Sequence, residues 1–143
     1  MMDSVLYNRD ILRLASSLVS GDRLDSPDAT AEARSPVCGS RIQVDVTLAD
    51  GKIDGLAVRV NACALGQASA AILRENAIGI ELTTIADMRD AIKRALKEGE
   101  PMPTLWPELA LLLPAKDYPS RHAAILLPYD AVLTATAQMK LAS

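Results

Sequence analysis

The alternation of apolar and polar residues is clearest between residues 41 and 48. Ile42, Val44, Val46 and Leu48 fall on one side of an extended chain; Arg41, Gln43, Asp45 and Thr47 fall on the other. A period of two is the signature of a half-buried strand. Asp50-Gly51 follows, a pair suited to a type I′ turn because both central residues need positive φ. A return strand is predicted from about Lys52 to Asn61, with Leu56, Val58 and Val60 inward. Ile53 is out of phase with these three, which places a bulge at Gly55. A weaker alternation from Ala29 to Arg34 predicts a short edge strand, interrupted by Ser35-Pro36.

Elsewhere the period lengthens to that of a helix. Ile11, Leu14, Ala15 and Leu18 predict a helix over residues 4–18, with Asp3 or Ser4 as its cap. Gly21 to Asp28 reads as a loop. Gln67 to Asn76, rich in Ala and Leu, reads as a second helix. Ile85, Met88, Ile92, Ala95 and Leu96 form one stripe over Thr84–Glu98, with Thr84 and Asp87 resembling a capping box and Gly99 as the stop. Residues 101–120 carry Pro101, Pro103, Pro107, Pro114 and Pro119, which predicts an irregular connection with a short helix at Glu108–Leu113. Pro128 suits the first turn of a last helix ending near Met139. This order predicts one α+β domain over residues 1–143, a small antiparallel β-sheet of about three strands packed against helices.

Composition sharpens that picture. Half of the residues are apolar, but there is no Phe, one Trp and three Tyr. The expected core is therefore aliphatic, with Trp106 as an anchor under the proline-rich connection. Formal net charge is -3, and no Lys/Arg run could line a phosphate-binding stripe, which argues against nucleic acid. No apolar stretch approaches the ~20 residues of a membrane span. Met1-Met2-Asp3-Ser4 lacks a basic region followed by an apolar one, which points to the cytoplasm. Gly66 opens no phosphate loop, since no Lys-Ser/Thr follows in the required pattern. The face Arg89, Asp90, Lys93, Arg94, Lys97 and Glu98 reads as a solvated helix surface.

The candidate chemistry lies at two cysteines. Cys38 sits in a Ser-Pro-Val-Cys-Gly loop before the strong strand, and Cys63 follows the return strand. Composition alone reads them as small buried hydrophobes. The hairpin adds that both lie at its open end, and so at one end of the sheet. Cys63 also precedes a helix start, where orphan N–H groups and the dipole favour negative charge.

The local sequence carries a resemblance. Ser35-Pro36-Val37-Cys38-Gly39 resembles the first cysteine loop of the U-type iron–sulfur cluster assembly scaffolds, the IscU, SufU and NifU amino-terminal family. Arg41 to Val46 with the Asp50-Gly51 hairpin is similar to the strand pair that follows it. Cys63-Ala64-Leu65-Gly66-Gln67-Ala68-Ser69-Ala70 resembles the second loop and its Ala/Ser-rich helix. Tyr118 to Leu127 is similar to the segment that carries the third cysteine into the last helix. The likeness runs along nearly the whole chain and implies a SufE/NifU-like fold.

The resemblance also implies a site. In the family three cysteines and an aspartate ring one end of the sheet and hold iron, zinc or a nascent [2Fe–2S] cluster. A cysteine desulfurase supplies sulfur, and the cluster passes to iron–sulfur acceptor proteins. Thiolates suit these ions because soft sulfur matches them. This chain departs from the pattern twice: Ser40 stands at the aspartate position, and Ala124 at the third cysteine. Ala123 replaces the histidine that the IscU branch carries just before that cysteine. His122, the single histidine, is two residues from Ala124, and in an extended segment residues two apart share a side. The expected set is therefore Cys38, Cys63 and His122, with a fourth position open to water, Ser40 or an exogenous thiol. Two readings follow. One is a scaffold-like, non-enzymatic protein holding iron, zinc or a cluster; the other is a cluster-free module that docks to a cysteine desulfurase or another assembly factor. A thiol enzyme using Cys63 as nucleophile is disfavoured, because no base is paired with it in the sequence.

Overall fold

The computed structural model describes residues 7–18, 21–36 and 39–142. Its helices and strands run in the order α1 (Arg9–Ser17), β1 (Ala29–Arg34), β2 (Arg41–Ala49), β3 (Lys52–Asn61), α2 (Ala64–Asn76), α3 (Leu82–Glu98) and α4 (His122–Ala142). Two 3-10 stretches, Pro107–Asp117 and Pro119–Arg121, link α3 to α4. The strands form one antiparallel sheet in the order β1-β2-β3. The α+β architecture expected from the sequence is the one observed.

The hairpin forms as the sequence predicts. Asp50 and Gly51 take φ of 54° and 75°, the pair of positive values that a type I′ turn requires. Thr47 pairs with Gly55 and Leu48 with Ile53, so the extra residue is Asp54, one place before the expected Gly55. The bulge restores the phase and turns Ile53 into the core, where it is buried. Gly55 is needed there for another reason: a Cβ on it would stand 2.6 Å from Thr47 Oγ1.

One face of the sheet carries the core. Ile42, Val44, Val46, Leu56 and Val58 meet α4 and α2, and α3 packs on α4 from outside. On β1 the inward residues are Ala29, Ala31 and Ala33. Their small side chains let α4 lie close across β1. The interior is aliphatic as expected, with buried Trp106 stacked on buried Tyr129 at a centroid separation of 6.3 Å.

Several element ends differ from the sequence reading. The first helix is capped by Asn8, whose Oδ1 accepts from the Ile11 amide at 3.1 Å, while Asp3 and Ser4 lie outside the described residues. Helix α3 starts at Leu82 behind Glu81, which makes no side-chain cap, so Thr84 and Asp87 do not form the expected box. The predicted short helix at 108–113 is the middle of a longer 3-10 stretch. The last helix starts at His122 rather than near Pro128, which lies inside it. Pro128 withholds an N–H from the Ala124 carbonyl four residues back; one residue further on, Ser69 Oγ of α2 donates to the Ile125 carbonyl at 2.6 Å.

The outer face holds the largest departure from the sequence pattern. Asp45 alternates as an outward residue yet is fully buried. The segment 21–28 crosses this face from β3, where the Gly21 amide donates to Val58, to the start of β1. Asp45 accepts from Arg59 at 3.0 and 3.2 Å, from Thr30 Oγ1 at 2.9 Å and from the Leu24 amide at 3.1 Å. Burial alone would raise the carboxyl, but the bonds from Arg59, Thr30, Leu24 and Arg23 outweigh it and hold it well below the usual carboxylate range.

A depressed folded-state pKa contributes stability above the unfolded value and loses it as pH falls. Asp45→Asn is therefore expected to cost about 2 kcal/mol in urea unfolding at neutral pH, allowing for the partial exposure of Arg59. The gap from the parent should narrow by about 1 kcal/mol at pH 3, where the unfolded carboxyl is mostly protonated. An equal gap at both pH values would remove the charge from this account.

Candidate functional site

The strand register decides which loops meet. Arg41 pairs with Asn61, so Ser40 and Cys63 each lie just past the same end of the β2–β3 ladder. The connection from β1 to β2 is tied at its base: the Ser35 amide donates to the Ser40 carbonyl at 2.9 Å, and the Gly39 amide to the Ser35 carbonyl at 2.9 Å. Gly39 has a φ of 70°, a value that favours glycine. Ser35 and Ser40 are buried. Cys38 lies outside the described residues. Its near neighbours Pro36 and Gly39 line an open depression of about 470 Å³ together with Ser40 and Asn61.

Cys63 is closer to helix α2 than the sequence suggests. It is the N-cap residue itself, with extended backbone, and α2 begins at Ala64 rather than Gln67. Its carbonyl accepts from the Gln67 amide at 3.0 Å, while its side chain makes no capping hydrogen bond. The thiol is free and half-buried. Gln67 Nε2 donates to the Ala62 carbonyl at 3.0 Å and so braces the chain entering Cys63.

Ala124 reaches this end through a close helix contact. A Cβ placed on Gly66 would stand 3.5 Å from the Ala124 carbonyl oxygen and 3.6 Å from its Cβ. The same Cβ would come within 2.8 Å of Ala62, which excludes a side chain at position 66 without movement. Residue 124 thus sits against the first turn of α2, three residues beyond Cys63, with a methyl group and 1% exposure. This position is filled by packing and offers no donor atom. Sequence reading missed this contact, although Gly66 in an Ala/Ser-rich helix was its signal.

His122 stands differently from expectation. The segment around it is helical, not extended, and two residues on a helix are separated by about 200° around the axis. The side chains of His122 and Ala124 therefore leave α4 in nearly opposite directions. The buried His122 ring places Nε2 2.8 Å from the Ala115 carbonyl. A carbonyl can only accept, so Nε2 donates; Nδ1 is buried and has no hydrogen-bond partner among the described residues. With Nε2 spent on Ala115, the ring ties the start of α4 to the 3-10 stretch Pro107–Asp117. Among the described residues, no three His, Cys, Asp or Glu side chains converge as a metal set.

No protein-family model matches the sequence. The chain is 24% identical over 130 residues to the iron–sulfur cluster assembly scaffold protein IscU of Thermotoga maritima, covering 90% of this chain and 91% of that protein. Its fold superposes with a TM-score of 0.82 on a SUF-system scaffold, SufU, of Fervidobacterium islandicum AW-1, at 20% identity over 92% of this chain and 97% of that one. A crystal structure of the amino-terminal part of a nitrogen-fixing NifU-like protein from Brucella abortus matches at a TM-score of 0.94 and 36% identity, covering 100% of both chains. Identity at that level over the full length of both, in a shared fold whose two cysteine connections open at one sheet end, shows that this chain belongs to the U-type iron–sulfur scaffold family, whose members are scaffolds and not enzymes.

Proposed function

We propose that this protein serves iron–sulfur cluster assembly by holding iron, zinc or a [2Fe–2S] cluster as cargo between the thiolates of Cys38 and Cys63. What carries the reading is the Arg41–Asn61 pairing, which opens both cysteine-bearing connections at one end of the sheet. The side chain of Cys63 is not spent on its helix cap, which leaves the thiol available. Two thiolates leave the remaining coordination open to sulfide, water, Ser40 or a thiol brought by another protein. In this reading the cargo is held loosely, a sulfur donor such as a cysteine desulfurase loads it in the cytoplasm, and an acceptor protein removes it. His122 serves as the anchor of α4 rather than as a ligand.

A second reading has its own observation. Ala124 is packed on Gly66 where the family places a thiol, and buried Ser40 stands for the aspartate. The same fold without cargo would be a module that docks to a desulfurase. Binding of a desulfurase by a Cys38→Ala, Cys63→Ala protein, together with a metal-free parent, would favour it.

Three measurements test the first reading. Protein purified without air is expected to carry iron, zinc or sulfide, and the double alanine variant to carry background levels only; equal contents would remove the site. Ala124→Cys should raise retained metal by completing a three-thiol set, at a stability cost of about 1 kcal/mol for the added sulfur. His122→Gln should leave metal content unchanged while costing about 1 kcal/mol in unfolding through the Ala115 bond. Loss of metal in that variant would instead make the imidazole a ligand.

A further inference from the structure

Between α3, the start of α4 and the end of β1 lies an open cleft of about 360 Å³. Four cations line it, Arg34, Arg89, Lys93 and Lys97, against one carboxylate, Asp130. Two of the four are already engaged. Arg89 donates to Asp130 at 2.8 Å and to Asp90 at 3.3 Å, so this residue of the otherwise exposed helix face is held by α4. Arg34 pairs with Glu32 at 3.1 Å. Lys93 and Lys97 are exposed, one helical turn apart, and form no ion pair within 4.0 Å among the described residues. A positive surplus is thus concentrated on one face of a chain whose formal net charge is -3.

The wall facing these lysines is apolar, built from Pro36, Pro119, Ala123 and Leu126. A small hydrated anion would gain little here, because exposed ion pairs are weak and it offers nothing to the apolar wall. A segment with carboxylates flanking an apolar side chain would use both walls, the charges giving orientation and the apolar group excluding water. The cleft also shares Arg34, Ser35 and Pro36 with the depression beside Gly39 and Ser40. A chain lying in it would therefore reach the loop that bears Cys38.

We propose that this cleft docks an acidic segment of a partner protein, with carboxylates on Lys93 and Lys97 and an apolar side chain against Ala123 and Leu126. The inference rests on the cleft alone and stands whether or not Cys38 and Cys63 hold cargo.

The test is fluorescence anisotropy of the full chain with a labelled octapeptide of alternating Glu and Leu. Saturable binding at micromolar to millimolar protein is expected, weakening as salt is raised. Lys93→Glu with Lys97→Glu should weaken it on the order of tenfold or more, with circular dichroism unchanged because both side chains are exposed. Ala123→Glu should weaken it as well, while an all-Glu octapeptide should bind poorly to the parent. The proposal is overturned by absence of binding at millimolar protein or by indifference to the lysine reversal. It is equally overturned if the all-Glu peptide binds as well, if inorganic phosphate alone competes at the peptide's own affinity, or if phosphatidylserine vesicles capture the protein in preference to the peptide.

Discussion

The register of the β2–β3 hairpin is the constraint on which the rest depends. In an antiparallel pair, moving one strand by a single residue sends every side chain to the opposite face. Here Asp50 and Gly51 close the turn, and the extra residue Asp54 resets the phase. Ile53 and the Leu56, Val58, Val60 series can then share one face. The same register brings Arg41 opposite Asn61, and so opens the Cys38 and Cys63 connections side by side. Core and candidate site are two consequences of one pairing.

Helix α4 is the second organising element. Alanines on β1 give it room over the sheet, and Gly66 gives Ala124 room against α2. Pro128 withholds an N–H from the Ala124 carbonyl, and Ser69 ties α4 to α2 through the Ile125 carbonyl. The ring of His122 holds the helix start to the preceding 3-10 stretch. The start of α4 is thereby committed to packing in this chain. With a methyl group at 124 and a serine at 40, the cargo site proposed for this end draws its thiols from Cys38 and Cys63 alone.

The candidate site was legible as far as chain neighbours define it. The two cysteine connections, their shared sheet end and the family followed from short sequence runs around a strong hairpin. His122 was read from spacing in an assumed extended chain. The extended geometry assumed there is not the one observed: Pro128 suits a helix start, whereas the helix already begins at His122 and runs through it. The basic face of α3 was legible as charge, but not as the wall of a cleft, since the opposite wall comes from Pro36, Pro119 and Ala123, distant in sequence.

By itself, then, the order of residues determined the three strands, the turn, the aliphatic core and the family, because each rests on local periodicity, turn geometry or short motifs. Only the tertiary structure decided that Asp45 is a buried acceptor, that Ala124 meets Gly66, and that Arg89 is spent on Asp130 while Lys93 and Lys97 are not. The reason is physical. Local pattern states which residues can face inward, whereas hydrogen-bond partners and close contacts depend on segments that meet only after the chain has folded.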